Sequence, residues 1–142
     1  MHVFTYGTLM FPEIWQAVVG RSFETVEGTA AGFEVFRVRD AVFPGIVAGT
    51  GECSVPGVVY LDVDQESTER LDRFEDDFYE RRPIAVDCRS GQQWIAEAYV
   101  VPSANRSVLT NEPWSRESFL ASGGLEQFIS RFAGFGRVAD GG

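Results

Sequence analysis

Residues 57–101, GVVYLDVDQESTERLDRFEDDFYERRPIAVDCRSGQQWIAEAYVV, decide the fold class because they place a strand, a short helix and a β-hairpin in direct succession. The first six residues form a β-rich run, and Asp64 is suited to cap the helix that follows. Two further β-rich runs, 83–88 and 93–101, flank four polar turn residues that include a glycine, which is typical of a hairpin. Short strands joined by short turns, with only brief helices, predict an α+β fold whose sheet is strongly curved or closed.

Upstream of this stretch, strands enclose one short helix. The run from Val3 to Tyr6 is an apolar opening strand that stops at the following glycine. Pro12 suits the first turn of a helix, which we expect to end at Gly20. Residues 23–38 contain two strand-like runs, and the glycines over 28–32 predict a break between them.

Downstream, the chain becomes polar and then helical. Ser115 is suited to cap a helix, which we expect the glycine pair 123–124 to interrupt. The apolar spacing over 125–132 restores the helical period, and residues 137–142 are expected to be frayed. Because no repeat, low-complexity tract or linker divides the chain, we expect residues 1–142 to form a single domain.

Composition narrows the class of partner. A chain of 142 residues can bury roughly two-thirds of its unfolded surface in one core without disulfides. Twelve basic residues against 21 acidic ones leave a net charge of −9. An acidic chain without a basic cluster disfavours both nucleic acid and an anionic membrane as partners. Small molecules or other proteins remain as partners, and the sequence leaves the oligomeric state open.

The cysteines and the apolar segments predict a cytoplasmic protein. Cys53 and Cys88 are too few for a disulfide scaffold and have no neighbouring ligand, so we interpret both as packing residues. The N-terminus begins a strand almost at once, without the features of a targeting sequence. Nowhere do 18 apolar residues follow one another, so no membrane span is predicted.

The histidine count limits the chemistry of any active site. His2, close to the N-terminus, is the single histidine, so histidine-rich metal sites are excluded and a histidine-assisted nucleophile would depend on a terminal residue. We therefore expect no metal or other cofactor. If the protein is an enzyme, its proton-transfer group is expected to be a carboxylate.

Glu75 is the acid that stands out. The sequence predicts a helix over 64–78, with an apolar stripe at Leu71, Phe74 and Phe78, and Glu75 occupies a fourth stripe position. A buried carboxylate must either be paired or exchange its proton, so Glu75 is a candidate acid/base. The alternative is an ordinary ion pair, because three arginines are close in sequence: Arg73, Arg81 and Arg82.

A second candidate is the loop that follows the first strand. In Tyr6-Gly7-Thr8-Leu9-Met10, the glycine permits a backbone that turns successive N–H groups into one concavity. The helix predicted from Pro12 adds further free N–H groups, so the loop could hold a carboxylate or an oxyanion. Taken alone, a tyrosine followed by a glycine at a strand end is most often only a turn.

Five motifs in order give the sequence a family resemblance. They are Tyr6-Gly7-Thr8-Leu9, Phe43-Pro44-Gly45-Ile46, Gly57-Val58-Val59-Tyr60-Leu61-Asp62, Leu71-Asp72-Arg73-Phe74-Glu75, and the pair Tyr79 and Arg81. With them the chain resembles the gamma-glutamylcyclotransferase-like, or AIG2-like, family over about residues 2–101. The resemblance implies a mixed fold around a small β-barrel with short flanking helices, and a cavity beside the Tyr-Gly-Thr-Leu loop.

The resemblance also implies a reaction, in which a gamma-glutamyl group cyclises to 5-oxoproline and releases an amine. By position, Glu75 matches the family's catalytic acid/base, and Tyr6, Gly7, Thr8 and Leu9 match its substrate-holding loop. Tyr79 matches a tyrosine near the family's pocket. The substrate's own amino group is the nucleophile, which agrees with a chain that has no activated serine or cysteine.

Three classes of function are left open by the sequence. An enzyme requires Glu75 to face the 6–9 loop across a cavity. A protein that binds a gamma-glutamyl compound or another carboxylate without turnover would keep the cavity but not the proton transfer. An interaction protein would need neither feature.

Overall fold

The computed structural model of the protein describes residues 1–127, in which eight strands form one sheet. The strands are β1 (Val3–Thr5), β2 (Thr25–Ala31), β3 (Phe33–Val38), β4 (Pro44–Ala48), β5 (Ser54–Tyr60), β6 (Glu80–Cys88), β7 (Gln93–Val100) and β8 (Leu109–Pro113). The helices are α1 (Pro12–Val19), α2 (Gln65–Phe74) and α3 (Arg116–Ala121), with 3₁₀ turns at Thr8–Met10 and Ser103–Val108. The expected helical period beyond residue 127 and the expected frayed tail over 137–142 lie outside the described residues.

Five of the strands close into a small barrel. Their order is β1-β5-β2-β6-β7, and β7 returns to β1 through a parallel pairing of Glu97 with Val3. Further along its length β7 pairs with β4, at Val100 and Ile46, and this pairing adds β3 and β8 outside the barrel. The predicted α+β fold with a closed mixed sheet and short flanking helices is therefore confirmed.

Side-chain alternation in the hairpin fills the barrel interior. In β6 the inward residues are Ile84 and Val86, and in β7 they are the small residues Ala96 and Ala98, all buried together with Phe4. Small residues suit the narrow lumen of a five-stranded barrel. A second core lies between the barrel and the helices, where Trp15 of α1 stacks on the Tyr60 ring with 3.6 Å between centroids.

The helix ends follow ordinary capping rules. Pro12 lies in the first turn of α1, which ends at Gly20 in the left-handed conformation, as predicted. The Asp64 carboxylate accepts hydrogen bonds from the backbone N–H and the hydroxyl of Ser67, which confirms its predicted capping role. The Ser115 hydroxyl accepts a bond from the backbone N–H of Ser118 at the start of α3.

The predicted length of α2 is wrong. The helix ends at Phe74, and Glu75 is its C-cap, with an extended backbone at φ −75° and ψ 145°. Three consecutive acids follow Phe74, and negative charge is unfavourable at a helix C-terminus, where the macrodipole is itself negative. Glu75 is therefore not a stripe position, and Phe78 instead packs against a separate core around Leu109.

The predicted break in residues 23–38 lies at Gly32, at the end of the expected range, and not at Gly28. Gly28 lies inside β2, where a Cβ atom would come within 2.5 Å of Val86 Cγ1, so the glycine permits close strand packing. The turn occurs at Gly32, which has φ +84°. The predicted hairpin turn is confirmed, with Gly91 at φ +82°. Across residues 1–127, no helix has the length and apolar character needed to cross a membrane.

Candidate active site

A cavity of about 260 Å³ opens beside the end of β1. All six residues that the sequence singled out line it: Tyr6, Gly7, Thr8, Leu9, Glu75 and Tyr79. The rest of the lining is formed by Phe4, Thr5, Val42, Phe43, Pro44, Phe74, Asp76 and Tyr99. The structure thus brings together two segments about 65 residues apart, while the roles of these residues stay predictions.

Close packing dictates a glycine in the loop. A Cβ atom on Gly7 would lie 2.7 Å from Pro44 Cγ and 2.8 Å from Pro44 Cδ, distances that real side chains do not tolerate. The chain then makes one 3₁₀ turn, in which the Met10 N–H donates to the Gly7 carbonyl over 3.0 Å. In the part of the chain that the structure describes, the Thr8 and Leu9 N–H groups have no acceptor, so they are free to bind a ligand oxygen.

Tyr60 anchors this loop from the barrel side. Its hydroxyl donates a 2.9 Å hydrogen bond to the Leu9 carbonyl, and its ring is held by the stack on Trp15. Burial raises the pKa of Tyr60 to about 12, so the hydroxyl keeps its proton for this bond. The loop position is therefore fixed by β5 and α1 before any ligand binds.

Glu75 is held by its backbone and not by a cation. Its N–H donates to the Leu71 carbonyl at the end of α2. Among residues 1–127, two of the three nearby arginines are paired elsewhere: Arg81 with Asp72 at 2.8 Å and Glu97 at 3.6 Å, and Arg82 with Glu80 at 2.8 Å. The third, Arg73, lies in the last turn of α2 and forms no ion pair with Glu75. The ion pair that would explain Glu75 as a structural residue is absent from this part of the chain.

The proton affinity of Glu75 follows from its surroundings. Burial, with smaller contributions from the negative charges of Asp76 and Asp72, raises the pKa of Glu75 to about 8. A carboxyl group with a pKa near neutrality can both accept and return a proton under ordinary conditions. Glu75 is therefore chemically suited to acid/base work in the cavity.

Two tyrosine hydroxyls in the cavity wall can only accept further hydrogen bonds. Tyr6 donates its proton to the Tyr99 carbonyl at 2.6 Å, and Tyr79 donates to the Pro44 carbonyl at 2.6 Å. Burial and the nearby Glu75 carboxylate raise the pKa of both phenols well above 10, while a backbone hydrogen bond from Ile46 acts in the opposite direction on Tyr6. With both protons engaged by carbonyls, the Tyr79 oxygen and the remaining lone pair of the Tyr6 oxygen suit a ligand ammonium group.

Sequence reasoning missed several residues of this wall. Tyr99 lines the cavity because alternation along β7 directs it away from the barrel interior that Ala98 and Val100 fill. That alternation was a usable signal for Tyr99. Val42 and Phe43 reach the cavity from the turn before β4. Phe43 belongs to one of the five family motifs, but no sequence pattern placed this turn at the cavity.

The sequence of the chain is similar to those of known proteins. The family model described as gamma-glutamyl cyclotransferase, AIG2-like, matches residues 3–116. AIG2-like protein C of Arabidopsis thaliana is 34% identical over 85 residues, which are 59% of this chain and 48% of that protein. The chain thus spans about half the length of the curated relatives it matches.

Solved structures share the fold. A solution structure of an Arabidopsis thaliana protein superposes with a TM-score of 0.68 at 26% identity, covering 92% of this chain and 87% of the other. A crystal structure of a yeast gamma-glutamyl cyclotransferase specific to glutathione superposes with a TM-score of 0.60, covering 79% and 73%. The identity to the yeast protein is 14%, so this second likeness concerns the fold alone.

Proposed function

The chain belongs to the gamma-glutamyl cyclotransferase, AIG2-like family, and from that premise we propose that it converts a gamma-glutamyl amide to 5-oxoproline and a free amine, with Glu75 as the acid/base. One observation carries the proposal. Glu75, with a pKa raised to about 8 and no cationic partner within residues 1–127, lines the same cavity as the free amides of Thr8 and Leu9.

The reaction is an intramolecular transfer of an acyl group. The α-nitrogen of the substrate attacks its own γ-carbonyl carbon, so a new C–N bond closes a five-membered ring. The tetrahedral intermediate then collapses, and the original amide C–N bond breaks to release the amine. Because both reacting atoms belong to one molecule, the protein's task is to fold the substrate into the attacking geometry and to move protons.

Proton transfer is the role proposed for Glu75. The α-nitrogen arrives as an ammonium ion and must lose a proton before it can attack. The Glu75 carboxylate accepts that proton and returns it to the nitrogen of the departing amine. The ring nitrogen loses a second proton as the ring closes, and Glu75 passes this proton on in the same way, so that the amine leaves as an ammonium ion. Until then, the Tyr6 and Tyr79 oxygens, whose own protons are donated to carbonyls, help to hold the ammonium group against Glu75.

The negative charge that develops on the carbonyl oxygen requires hydrogen-bond donors. As the tetrahedral intermediate forms, this oxygen becomes negative, and the unbonded N–H groups of Thr8 and Leu9 are the donors we assign to it. Such donors act best when they are fixed in advance. The Tyr60 bond to the Leu9 carbonyl provides that support.

The context we propose is a small-molecule enzyme of the cytoplasm, with residues 1–142 as one domain and a gamma-glutamyl compound as its partner. Cys53 and Cys88 are both free thiols, as expected in a reducing compartment. Neither nucleic acid nor membrane enters the proposal, since the net charge of −9 opposes both. No metal or organic cofactor is assigned to any step.

The test is detection of product. The protein is incubated with a panel of gamma-glutamyl amides, and 5-oxoproline and the free amine are measured by mass spectrometry. Glu75→Gln keeps the shape of the side chain but cannot carry the proton, so we expect turnover to fall by about 100-fold or more. Glu69→Gln, the same change at an exposed position of α2, is the matched control and should retain activity.

Two results would contradict the proposal. Full turnover in a folded Glu75→Gln variant would move the proton transfer to another group. Saturable binding of gamma-glutamyl amides by calorimetry, without 5-oxoproline from any member of the panel, would instead favour the non-catalytic binding protein of the same fold.

A further inference from the structure

Asp72 joins the end of α2 to the barrel wall. One carboxylate oxygen, Oδ1, accepts a 2.6 Å hydrogen bond from the Tyr99 hydroxyl, and the other, Oδ2, lies 2.8 Å from Arg81 Nη1. Arg81 and Tyr99 are directly opposite each other on the neighbouring strands β6 and β7. The two carboxylate oxygens of Asp72 therefore bind side chains of two adjacent strands.

This connection is close to Glu75 in the chain. Asp72 lies three residues before Glu75, which places the two about one helical turn apart. Within residues 1–127, the Glu75 side chain has no hydrogen bond or ion pair of its own. Its location in the cavity therefore depends on where the last turn of α2 is held.

We propose that Asp72 is the positioning residue for Glu75, because its simultaneous bonds to Tyr99 and Arg81 fix the end of α2 against β6 and β7 at the edge of the cavity. The inference deepens the proposed function and rests on it for the catalytic consequence. The geometric part concerns the location and environment of Glu75, and it can be measured without turnover.

An ordinary surface ion pair would not fix the end of α2 in this way. Exposed pairs contribute little, and the Asp72 and Arg81 side chains are 44% and 29% exposed. The difference lies in the third member, Tyr99, whose ring lines the cavity and whose hydroxyl donates to Asp72. Through Tyr99, the position of Asp72 is linked directly to the cavity wall.

Asp72 also belongs to the charges around Glu75. The titratable and charged groups that face Glu75 come from its own segment, from the end of β1, from the turn before β6, and from β6 and β7. They are Asp72 and Asp76, Tyr6, Tyr79 and Tyr99, with Arg81 placed as the ion-pair partner of Asp72. By charge alone, removal of the negative Asp72 should lower the pKa of Glu75 and removal of the positive Arg81 should raise it. Release of Glu75 from its buried position should instead lower its pKa in both variants.

This difference between an effect of charge and an effect of position defines the experiment. Asp72→Asn and Arg81→Gln both break the same ion pair, and both change partly exposed side chains, so both proteins are expected to fold. The carboxyl carbon of Glu75 is followed by carbon-13 NMR during a pH titration of the full chain, and its signal is assigned by its loss in Glu75→Gln. Glu69→Gln removes one negative charge from exposed α2 surface and serves as the control.

We expect the pKa of Glu75 to fall by about one unit in both Asp72→Asn and Arg81→Gln, because each variant frees Glu75 from its buried position. It should stay near the wild-type value in Glu69→Gln. A fall in Asp72→Asn together with a rise in Arg81→Gln would show that the two residues act by charge alone, and that result, or no shift in either variant, would overturn the inference. Because the readout is a titration, it remains valid if no gamma-glutamyl substrate is turned over.

Activity provides the second readout. With a substrate that is turned over, both variants should lose roughly tenfold in kcat with a smaller change in KM, since Glu75 is displaced and the cavity is kept. The acidic limb of the pH profile should move to lower pH in both variants. Wild-type kcat in both variants would refute the positioning role, whereas absence of turnover in the wild type would refute the proposed function alone.

Discussion

Ionisation of Glu75 destabilises the folded state. Its pKa is raised from 4.5 to about 8 by burial and by two neighbouring acids, so the folded state favours the protonated form. The stability that comes from this preference is fully present below pH 4.5 and is lost as the pH rises through about 8. The group on which the proposed chemistry depends therefore lowers the stability of the protein when it is ionised.

A prediction about stability follows for Glu75→Gln. Glutamine stays neutral at every pH, so the variant should be more stable than the wild type by roughly 4 to 5 kcal/mol at pH 9, with little difference at pH 4.5. Urea unfolding of both proteins at the two pH values measures the difference. A structural ion pair to Glu75 predicts the reverse, because the variant would then be less stable at pH 9.

Single site residues could be predicted from the sequence where their chemistry is unusual for their position. Glu75 attracted notice as an acid among apolar residues, although the helical stripe that drew attention to it does not exist. Tyr6 and Tyr79 were placed near a pocket by resemblance, and both line the cavity. Their donation to carbonyl groups was not predictable, because it depends on the distant residues Tyr99 and Pro44.

At the level of elements, the turn between β1 and α1 is shaped by close packing. Gly7→Ala places a methyl group less than 3 Å from the ring of Pro44, which is stiff and lies at the start of β4. We expect a loss of about 2 kcal/mol in unfolding free energy and a marked loss of turnover, as the 3₁₀ turn is pushed away from β4. Denaturant unfolding and the 5-oxoproline assay measure both effects.

The matched control is Gly51→Ala. Nothing lies within 4 Å of a Cβ atom at Gly51, and its backbone does not occupy the left-handed region. Its stability should change by less than about 0.5 kcal/mol, with normal turnover. Equal effects of the two substitutions would mean that the contact with Pro44 is not what requires glycine at position 7.

Element boundaries were predicted well where a local signal fixed them. Pro12 and Gly20 marked the ends of α1, and Gly91 marked the hairpin turn. The end of α2 was misplaced because hydrophobic spacing was followed past Phe74 into a run of acids that a helix C-terminus disfavours. β8 was not predicted, since Leu109–Pro113 has little strand character and is held in place by β3.

For the whole molecule, closure of the barrel is the feature that no local pattern could determine. The strand β7 pairs with β6, β1 and β4, and only the pairing with β6 joins neighbours in the chain. The predicted curved or closed sheet was confirmed, but the strand order arises from contacts between distant segments. The same closure brings the loop after β1 to the end of α2, and thereby forms the cavity.

The net charge of the whole molecule should affect the rate at which charged substrates reach the cavity. The chain carries −9, and the cavity lining contains Glu75 and Asp76 but no basic residue among those described. A gamma-glutamyl amide of a neutral amine carries no net charge, whereas a gamma-glutamyl amino acid carries one net negative charge. The field of the protein should therefore repel the second substrate and leave the first unaffected.

Salt dependence tests this expectation, because ions screen the field. Between about 10 mM and about 150 mM salt, kcat/KM for the gamma-glutamyl amino acid should rise roughly twofold relative to the neutral amide. At saturating substrate, kcat should stay constant for both, since screening affects the approach of the substrate and not the intramolecular attack. Steady-state rates on the matched pair at each salt concentration give the ratio. An equal rise for both substrates would indicate that salt acts on the protein itself, and a fall for the anionic substrate would indicate that basic residues attract it against the overall field.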